Sequence, residues 1–521
     1  MSFPLHHGSM KSLATLLLFL STAMLWPSTL VAQDSTDIGT RRELFVDSAL
    51  IETIEGSAQL RLHHPVARQL AMTHDAPWEG TSAGYHTAFR DGDIYRLYYR
   101  GLHLEVREKS ISTGRHEPFY CLAESKDGIT WTRPELGLVE FEGSKKNNII
   151  LRGPGTHNFA PFKDSNPDCA PEAKYKALGG GQKESGGLIA FQSPDGVNWS
   201  RLQENPVITV GAFDSQNLAF WDASIGKYRT YYRVFSKGET TAEVWKPAGV
   251  RAIRTATSDD FLTWENEADL IYEDSPEMEL YTNQVHPYVR APHLLVGLPT
   301  LYIERGWSPS MRALPDPQDR EKRANAHLRY GTALTEVQLM ASRDGVHFKR
   351  WNEAFMRPGI ERPGTWQYGH QFAACHAVVT KSSLPGAGEE LSIYSSESGW
   401  HGDSNALRRY TLRLDGFVSV NAPMKGGEIT TKPIQFSGDQ LELNFSTSAA
   451  GTLRVEIQDA AGKAIEGFSL EDCHEIFGDS TARTVNWKSE ASLKGLAGKP
   501  VRLRFVLNDA DLFSYRFAGA K

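Results

Sequence analysis

Five short stretches of the chain set aromatic rings beside carboxylates, amides and imidazoles. They are PWEGTSAGYH, with Trp78, Glu79, Tyr85 and His86; GTHNF, with His157 and Asn158; FDSQN, with Asp214, Gln216 and Asn217; EMELYTNQVH, with Glu279, Tyr281, Asn283 and Gln284; and TWQYGHQ, with Trp366, Tyr368 and His370. Rings give a sugar a flat apolar face to stack on, and amides, imidazoles and carboxylates meet its hydroxyls in pairs. Cleaving a glycosidic bond needs two carboxyls across the scissile bond, one protonated for the leaving oxygen and one ionised. Asp214 and Glu279 are the expected pair, Glu279 as acid and Asp214 as base or nucleophile, with Glu79 as a third candidate. Each of these residues, taken singly, serves equally well as a hydrogen-bonded strut in a narrow channel.

What must bring five distant stretches together is a repeat. SKDGITW at Ser125 returns as SPDGVNW at Ser193, SDDFLTW at Ser258 and SRDGVHF at Ser342. Each copy follows a strand-like run (FYCLAE, GLIAFQ, AIRTAT, VQLMA), and Asp-Gly before an aromatic marks a tight hairpin whose next strand carries a packing anchor. Upstream of each copy lies another pair of strand-like runs, such as GYHTAF with IYRLYYRG and NLAFW with KYRTYYRVF. A fifth, more worn unit runs from FAACHAVV to RRYTLRLDGFVS. Four strands per unit and a period of roughly 65 to 85 residues predict an all-β chain, a five-bladed β-propeller over residues 41–423. A row of separate sandwich domains is the competing arrangement, but each unit is short and has no linker. The candidate residues precede the first strand of each unit, where innermost strands converge on one end of a propeller channel.

After the fifth unit the composition changes at NAPMKGGEITTKP, and LELNF, TLRVEIQD, RTVNW and VRLRFVL predict a β-sandwich over 424–521. At the other end, Lys11 followed by LATLLLFLSTAMLW predicts a secretory signal over residues 1–32 and an exported, periplasmic or extracellular product. No membrane association is expected once that segment is removed. A formal net charge of −7 with both signs dispersed disfavours a nucleic-acid partner. Cys121, Cys169, Cys375 and Cys473 match no redox or metal-ligand spacing. The 17 histidines show no His-x-x-x-His pair backed by an acid, so no metal ligand is assigned and no cofactor is expected, with calcium on channel carboxylates left open.

Asp127, Asp164, Asp195, Asp222 and Asp344 fall in hairpin turns and are set aside as turn formers. Asp47 falls in an early strand that is a candidate to close the ring. The polar insertion ERGWSPSMRALPDPQDREKRANAHLRYG interrupts the fourth unit, as lids do, and its Arg305, Trp307, Arg312 and Arg329 suit a uronate or sulfate ester.

A propeller with Asp-Gly-x-x-Trp hairpins and a C-terminal β-sandwich resembles the invertase, levansucrase and arabinanase clan of glycoside hydrolases, in divergent form. The resemblance implies a carboxylate on the innermost strand of the first blade, about five residues before the first hairpin Asp; His86 stands there, and Asn217 at the matching place in the third unit. Two functions follow as expectations: hydrolysis of a polysaccharide or oligosaccharide at the channel mouth, or binding of a carbohydrate without catalysis. A protein-interaction propeller is a third.

Overall fold

The structure is a computed structural model that describes residues 35–488 and 491–519; the expected signal segment lies outside the described residues. Five sheets form the blades of a propeller. Blade one pairs Gly84–Asp91, Ile94–Gly101, Phe119–Ser125 and Ile149–Arg152; blade two Ala160–Lys163, Tyr175–Gly181, Gly187–Ser193 and Ser200–Arg201. Blade three is Leu218–Asp222, Lys227–Thr240, Trp245–Ser258 and Glu265–Asp269. Blade four runs His286–Tyr288, Ala291–Gly297, Met340–Ser342 and His347–Arg350, with Ile271–Tyr272 added in parallel at its edge.

Blade five holds Val378–Lys381, Glu389–Glu397 and Asn405–Arg413, and takes its outermost strand, Val66–His74, from the opposite end of the chain. That strand closes the ring. Asp47 does not; its carboxylate accepts a 2.8 Å hydrogen bond from Arg343 Nε.

The repeated heptapeptide is the turn after the third strand of blades one to four. In blade one, Asp127 Oδ1 accepts from the N–H groups of Ile129 and Thr130 (2.7 and 2.8 Å), and Ser125 Oγ accepts from Gly128 N–H (2.9 Å). Asp195, Asp260 and Asp344 repeat the pattern. The residue after the Asp has φ of +70, +77, +69 and +84° at Gly128, Gly196, Phe261 and Gly345, a region that costs glycine least. The turns also latch blade to blade. Tyr98 donates to Gly196 O (3.0 Å), Tyr231 to Gly345 O (2.8 Å), and Tyr394 to Gly128 O. Where Phe261 replaces the glycine, blade two offers Leu178 at the matching place, and both join one apolar cluster.

Ten further strands form one sheet system. It contains Val418–Ala422, Gly427–Thr431, Ile434–Phe436, Gln440–Asp459, Asp479–Thr484 and Val501–Ala518, but also an N-terminal arm, Thr36–Gly39, Glu43–Leu44, Ile51–Gly56 and Gln59–Leu62. The expected bounds 41–423 and 424–521 are therefore corrected at both ends: residues 36–62 and 418–422 belong to the sandwich. The reason is pairing and burial. Val418 and Val420 are fully buried, and Val418 to Asn421 pair with Leu62 to Gln59. Sandwich residues such as Phe436, Leu443 and Val455 share one continuous core with Tyr288, Leu294, Leu391 and Ile393 of blades four and five.

Candidate functional site

The innermost strands are Gly84–Asp91, Ala160–Lys163, Leu218–Asp222, His286–Tyr288 and Val378–Lys381, and the residues just before or at their starts line a cavity of about 350 Å³ at one end of the channel. Tyr85, His157, Asp214, Tyr281 and Tyr368, all expected from the sequence, face it. So do Arg100, Phe372 and Trp400, and Arg329 and Tyr330 from the insertion. A second cavity of about 680 Å³, with Trp245, Glu117 and Glu184 on its wall, also borders His157 and Asp214, so this pair stands between the two.

Asp214 is the only carboxylate on the wall of the first cavity among the described residues. Its side chain is 61 % accessible, but that access opens onto the cavity. His157 Nε2 donates to Asp214 Oδ1 at 2.9 Å, and Arg233 Nη2 lies 3.9 Å from Oδ2. Enclosure opposes ionisation of Asp214, but the His157 hydrogen bond and the Arg233 and Arg100 charges outweigh it and hold its pKa well below the ordinary range. Burial, followed by the neighbouring Tyr281 and Asp214, pushes the Tyr85 phenol up, so it stays a donor. Tyr85 also holds a φ of +51°, pinned through its carbonyl by Gln216 Nε2 (3.0 Å) and Tyr120 OH (2.7 Å).

Positive charge dominates the wall of the first cavity. Arg100 lies over the Tyr85 ring at 4.6 Å and donates only to the carbonyls of His157 and Ser82 (3.2 and 3.3 Å). Arg329 lies over Tyr330 at 4.9 Å. Neither Arg100 nor Arg329 has an acid within ion-pair distance among the described residues, and the Nε of each is buried without a partner. Behind them, Arg233 Nη1 and Arg251 Nε are likewise unpartnered. The insertion carries Arg329 here because three short helices, Pro309–Ala313, Pro317–Ala326 and Leu328–Thr332, are docked: Arg323 Nη2 donates to Gly399 O and Trp400 O (3.1 and 2.9 Å), and Arg320 to Trp366 O. Arg312 stacks on Trp307 at 4.5 Å and pairs with Glu321 at 3.3 Å, outside the cavity wall, and Arg305 is not on that wall either.

The other expected acids are elsewhere. Glu79 is 0 % exposed and saturated: Arg133 Nε and Nη2 each donate to it at 2.8 Å, with Ala76 N–H at 2.9 Å and Tyr99 OH. Glu279 accepts from Arg251 N–H (2.9 Å) and Nη1 (2.8 Å), a layer behind Tyr281, and does not line the cavity. The expected pair of carboxyls is thus corrected to a single one, because arginines satisfy both glutamates.

The expected amides form struts. Below Tyr85, Gln216 Nε2 donates to Thr87 Oγ1 (2.8 Å), and Gln284 Nε2 to Gln216 Oε1 (2.8 Å) and Ala373 O (2.6 Å), plugging the channel. Asn158 binds Gly180 from both ends, Asn217 and Asn283 bind backbone carbonyls, and His86 pairs with His74 at 3.0 Å. His370 is buried beneath Trp366, whose N–H it accepts, Trp366 Nε1 donates to Gly359 O, and Trp78 Nε1 to Asn148 Oδ1. These seven residues and Glu79, though expected at the site, are corrected to scaffold, as are Trp78 and Trp366. Arg100 and Arg233 were missed. Their signal was present: both end the repeated Tyr-Tyr-Arg of YYRG and YYRV, a charge placed where the rest of the strand is buried.

No family model and no curated relative matches the sequence. Among solved structures, the chain is similar to a glycoside hydrolase family 43 arabinoxylan arabinofuranohydrolase from Bacillus subtilis in complex with cellotetraose (13 % identity, 88 % of this chain and 99 % of that one, TM-score 0.39). It is also similar to an exo-inulinase from Aspergillus awamori (12 %, 86 % and 99 %, TM-score 0.36) and a fructofuranosidase from Schwanniomyces occidentalis complexed with fructose (10 %, 87 % and 97 %, TM-score 0.35). The propeller itself rests on the strand pairing above.

Proposed function

We propose that the protein binds an acidic oligosaccharide, one carrying a carboxylate or sulfate ester, at the channel mouth, with the anionic group in the first cavity. The observation that carries this reading is Arg100 and Arg329, two cavity-wall guanidinium groups with no acid within ion-pair distance among the described residues and with a buried, unpartnered Nε each. A buried guanidinium N–H left without an acceptor is costly, and an anionic ligand offsets that cost with charge-assisted hydrogen bonds. Tyr85, Tyr281, Tyr368 and Trp400 add ring faces and hydroxyl donors for the sugar.

A second reading, catalysis at the same place, is favoured by the position of the Asp214–His157 pair between the two cavities, where a linkage of a bound oligosaccharide would fall. An ionised carboxylate orienting an imidazole is a proton-transfer unit. It lacks the second carboxyl of two-carboxylate hydrolysis.

The test is calorimetric titration with oligogalacturonides, sulfated galactan oligosaccharides and neutral arabino-oligosaccharides, with products analysed in parallel. Acidic ligands should bind more tightly than neutral ones, less so in high salt, and Arg100→Gln should cost on the order of tenfold or more in affinity, the worth of one charged hydrogen bond. Equal affinity for neutral ligands would sink the proposal. New reducing ends would establish the catalytic reading, and intact ligand would exclude it.

A further inference from the structure

On the far side of the glutamine plug, a second group of side chains converges on the channel axis. His286 starts the inner strand of blade four, and Cys375 and His376 lie three and two residues before that of blade five. One donor atom from each lies within 4.8 Å of the other two. They share a cavity of about 10 Å³, room for a single water-sized occupant, whose other walls include Phe162, Leu218, Phe220 and Val285. We propose that His286, Cys375 and His376 form a binding site for one soft divalent cation of the zinc class, independent of the sugar site.

Four features of the chain support it. The donor set is two imidazoles and a thiol, which suits zinc and its softer neighbours and not calcium or magnesium. His286 Nδ1 lies 3.1 Å from Gln284 O; a carbonyl only accepts, so Nδ1 carries the proton and Nε2 is left with its lone pair free. A carbonyl that fixes the tautomer in this way is the usual support for a metal-binding histidine. Cys375 is held rigidly, its N–H donating to His86 O (2.8 Å) and its carbonyl accepting from Ala88 N–H (3.1 Å).

His376 is the more accessible of the three and holds a φ of +69°, turning its ring to within 4.6 Å of that of His286. In a tetrahedral zinc site, donors stand about 3.3 to 3.8 Å apart, so closing on an ion takes side-chain movement of about an ångström. Binding replaces the thiol proton: Cys375 S–H loses its proton to solvent, and the sulfur pair bonds to the cation, so one proton is released per ion. Spacing rules miss such a site because His286 lies ninety positions before His376 and only the ring of blades brings them together.

Cobalt(II) is the probe, because a thiolate ligand adds a near-ultraviolet charge-transfer band. The full chain, stripped with chelator, is expected to take up one cobalt per chain with that band, to release it to added zinc, and to lose the band in Cys375→Ser. Failure to bind one equivalent, or the same band in Cys375→Ser, overturns the proposal. Should Cys375→Ser not fold, His376→Ala, at the most accessible ligand, is expected to weaken cobalt binding by about tenfold or more; unchanged affinity there overturns it equally. None of these readouts involves the sugar.

Discussion

Asp214, Glu79 and Glu279 look alike as letters, and their surroundings give them three different roles. Asp214 faces a cavity with an imidazole on one oxygen; the glutamates are each taken by an arginine. Asp214→Asn removes both the orienting charge on His157 and the one carboxylate on the wall of the first cavity among the described residues. Affinity for an acidic oligosaccharide should hold or rise, while any turnover falls by about 10²- to 10⁴-fold, the usual contribution of a positioned proton-transfer group; parallel titration and product assays check this. Glu79→Gln acts in the opposite way: it removes the buried charge that Arg133, Tyr99 and Ala76 N–H bind, while Arg133, only half-buried, keeps Asp75 (3.0 Å) and Thr73 O, so stability should drop by about 1 to 3 kcal/mol in a denaturant melt, with sugar affinity unchanged. Acid should reveal the same pairs collectively. Burial opposes ionisation of Glu43, Glu79 and Glu397, but the neighbouring His293, His74 and Arg362 respectively, with further arginines, bring them from 4.5 down to about 2. The unfolded chain then binds more protons than the folded one across that interval, so stability is full above about pH 4.5 and is lost as pH falls toward 2. Melting temperatures flat from pH 5 to 2 would contradict this.

Turns, not strands, carry most of the legible information at the scale of elements. The Ser-x-Asp-Gly motif announced the hairpins because its geometry is local: the Asp oxygen caps the amides two and three residues on, the Ser hydroxyl caps that of the glycine, and glycine takes the positive φ. A methyl group on Gly196 would meet Arg96 Nη1 at 2.3 Å and Tyr98 OH at 2.6 Å, besides straining a φ of +77°. Gly196→Ala should therefore cost about 1 to 3 kcal/mol and loosen the latch between blades one and two, measurable as faster exchange of nearby amides. Which polar residues before each inner strand face the cavity was not legible. Tyr85 lines it and His86 beneath it does not, because consecutive residues point to different layers of the channel, and depth depends on how five blades meet. Arg100 escaped notice because an arginine in a strand is ordinarily a surface residue, and only the ring shows that this one faces inward.

For the whole molecule, sequence order and spatial order part company at both ends. Strand-forming runs near residues 36–62 were visible only in part, and their partners, more than 350 positions away, not at all. Deleting residues 35–62 removes four strands from the ten-strand sheet system and uncovers the core it shares with blades four and five. The shortened protein should aggregate or lose its cooperative melt; a transition within about 2 °C of the parent would show the arm to be dispensable.

That arm also sets the order of events when the chain folds. Glu43 and Leu44 pair with Tyr515 and Ser514, and Arg42 hydrogen-bonds Ser514 across 472 positions. On a ribosome, the arm therefore emerges early and waits, its strand edges open, until Val501–Ala518 has been made. Blade five waits as well, since Val66–His74 pairs with Asn405–Arg413. Closure of ring and sandwich alike is a late, long-range step, slow by its topology and exposed to wrong pairings meanwhile. The nascent protein depends on being kept apart from its neighbours until the last strand arrives.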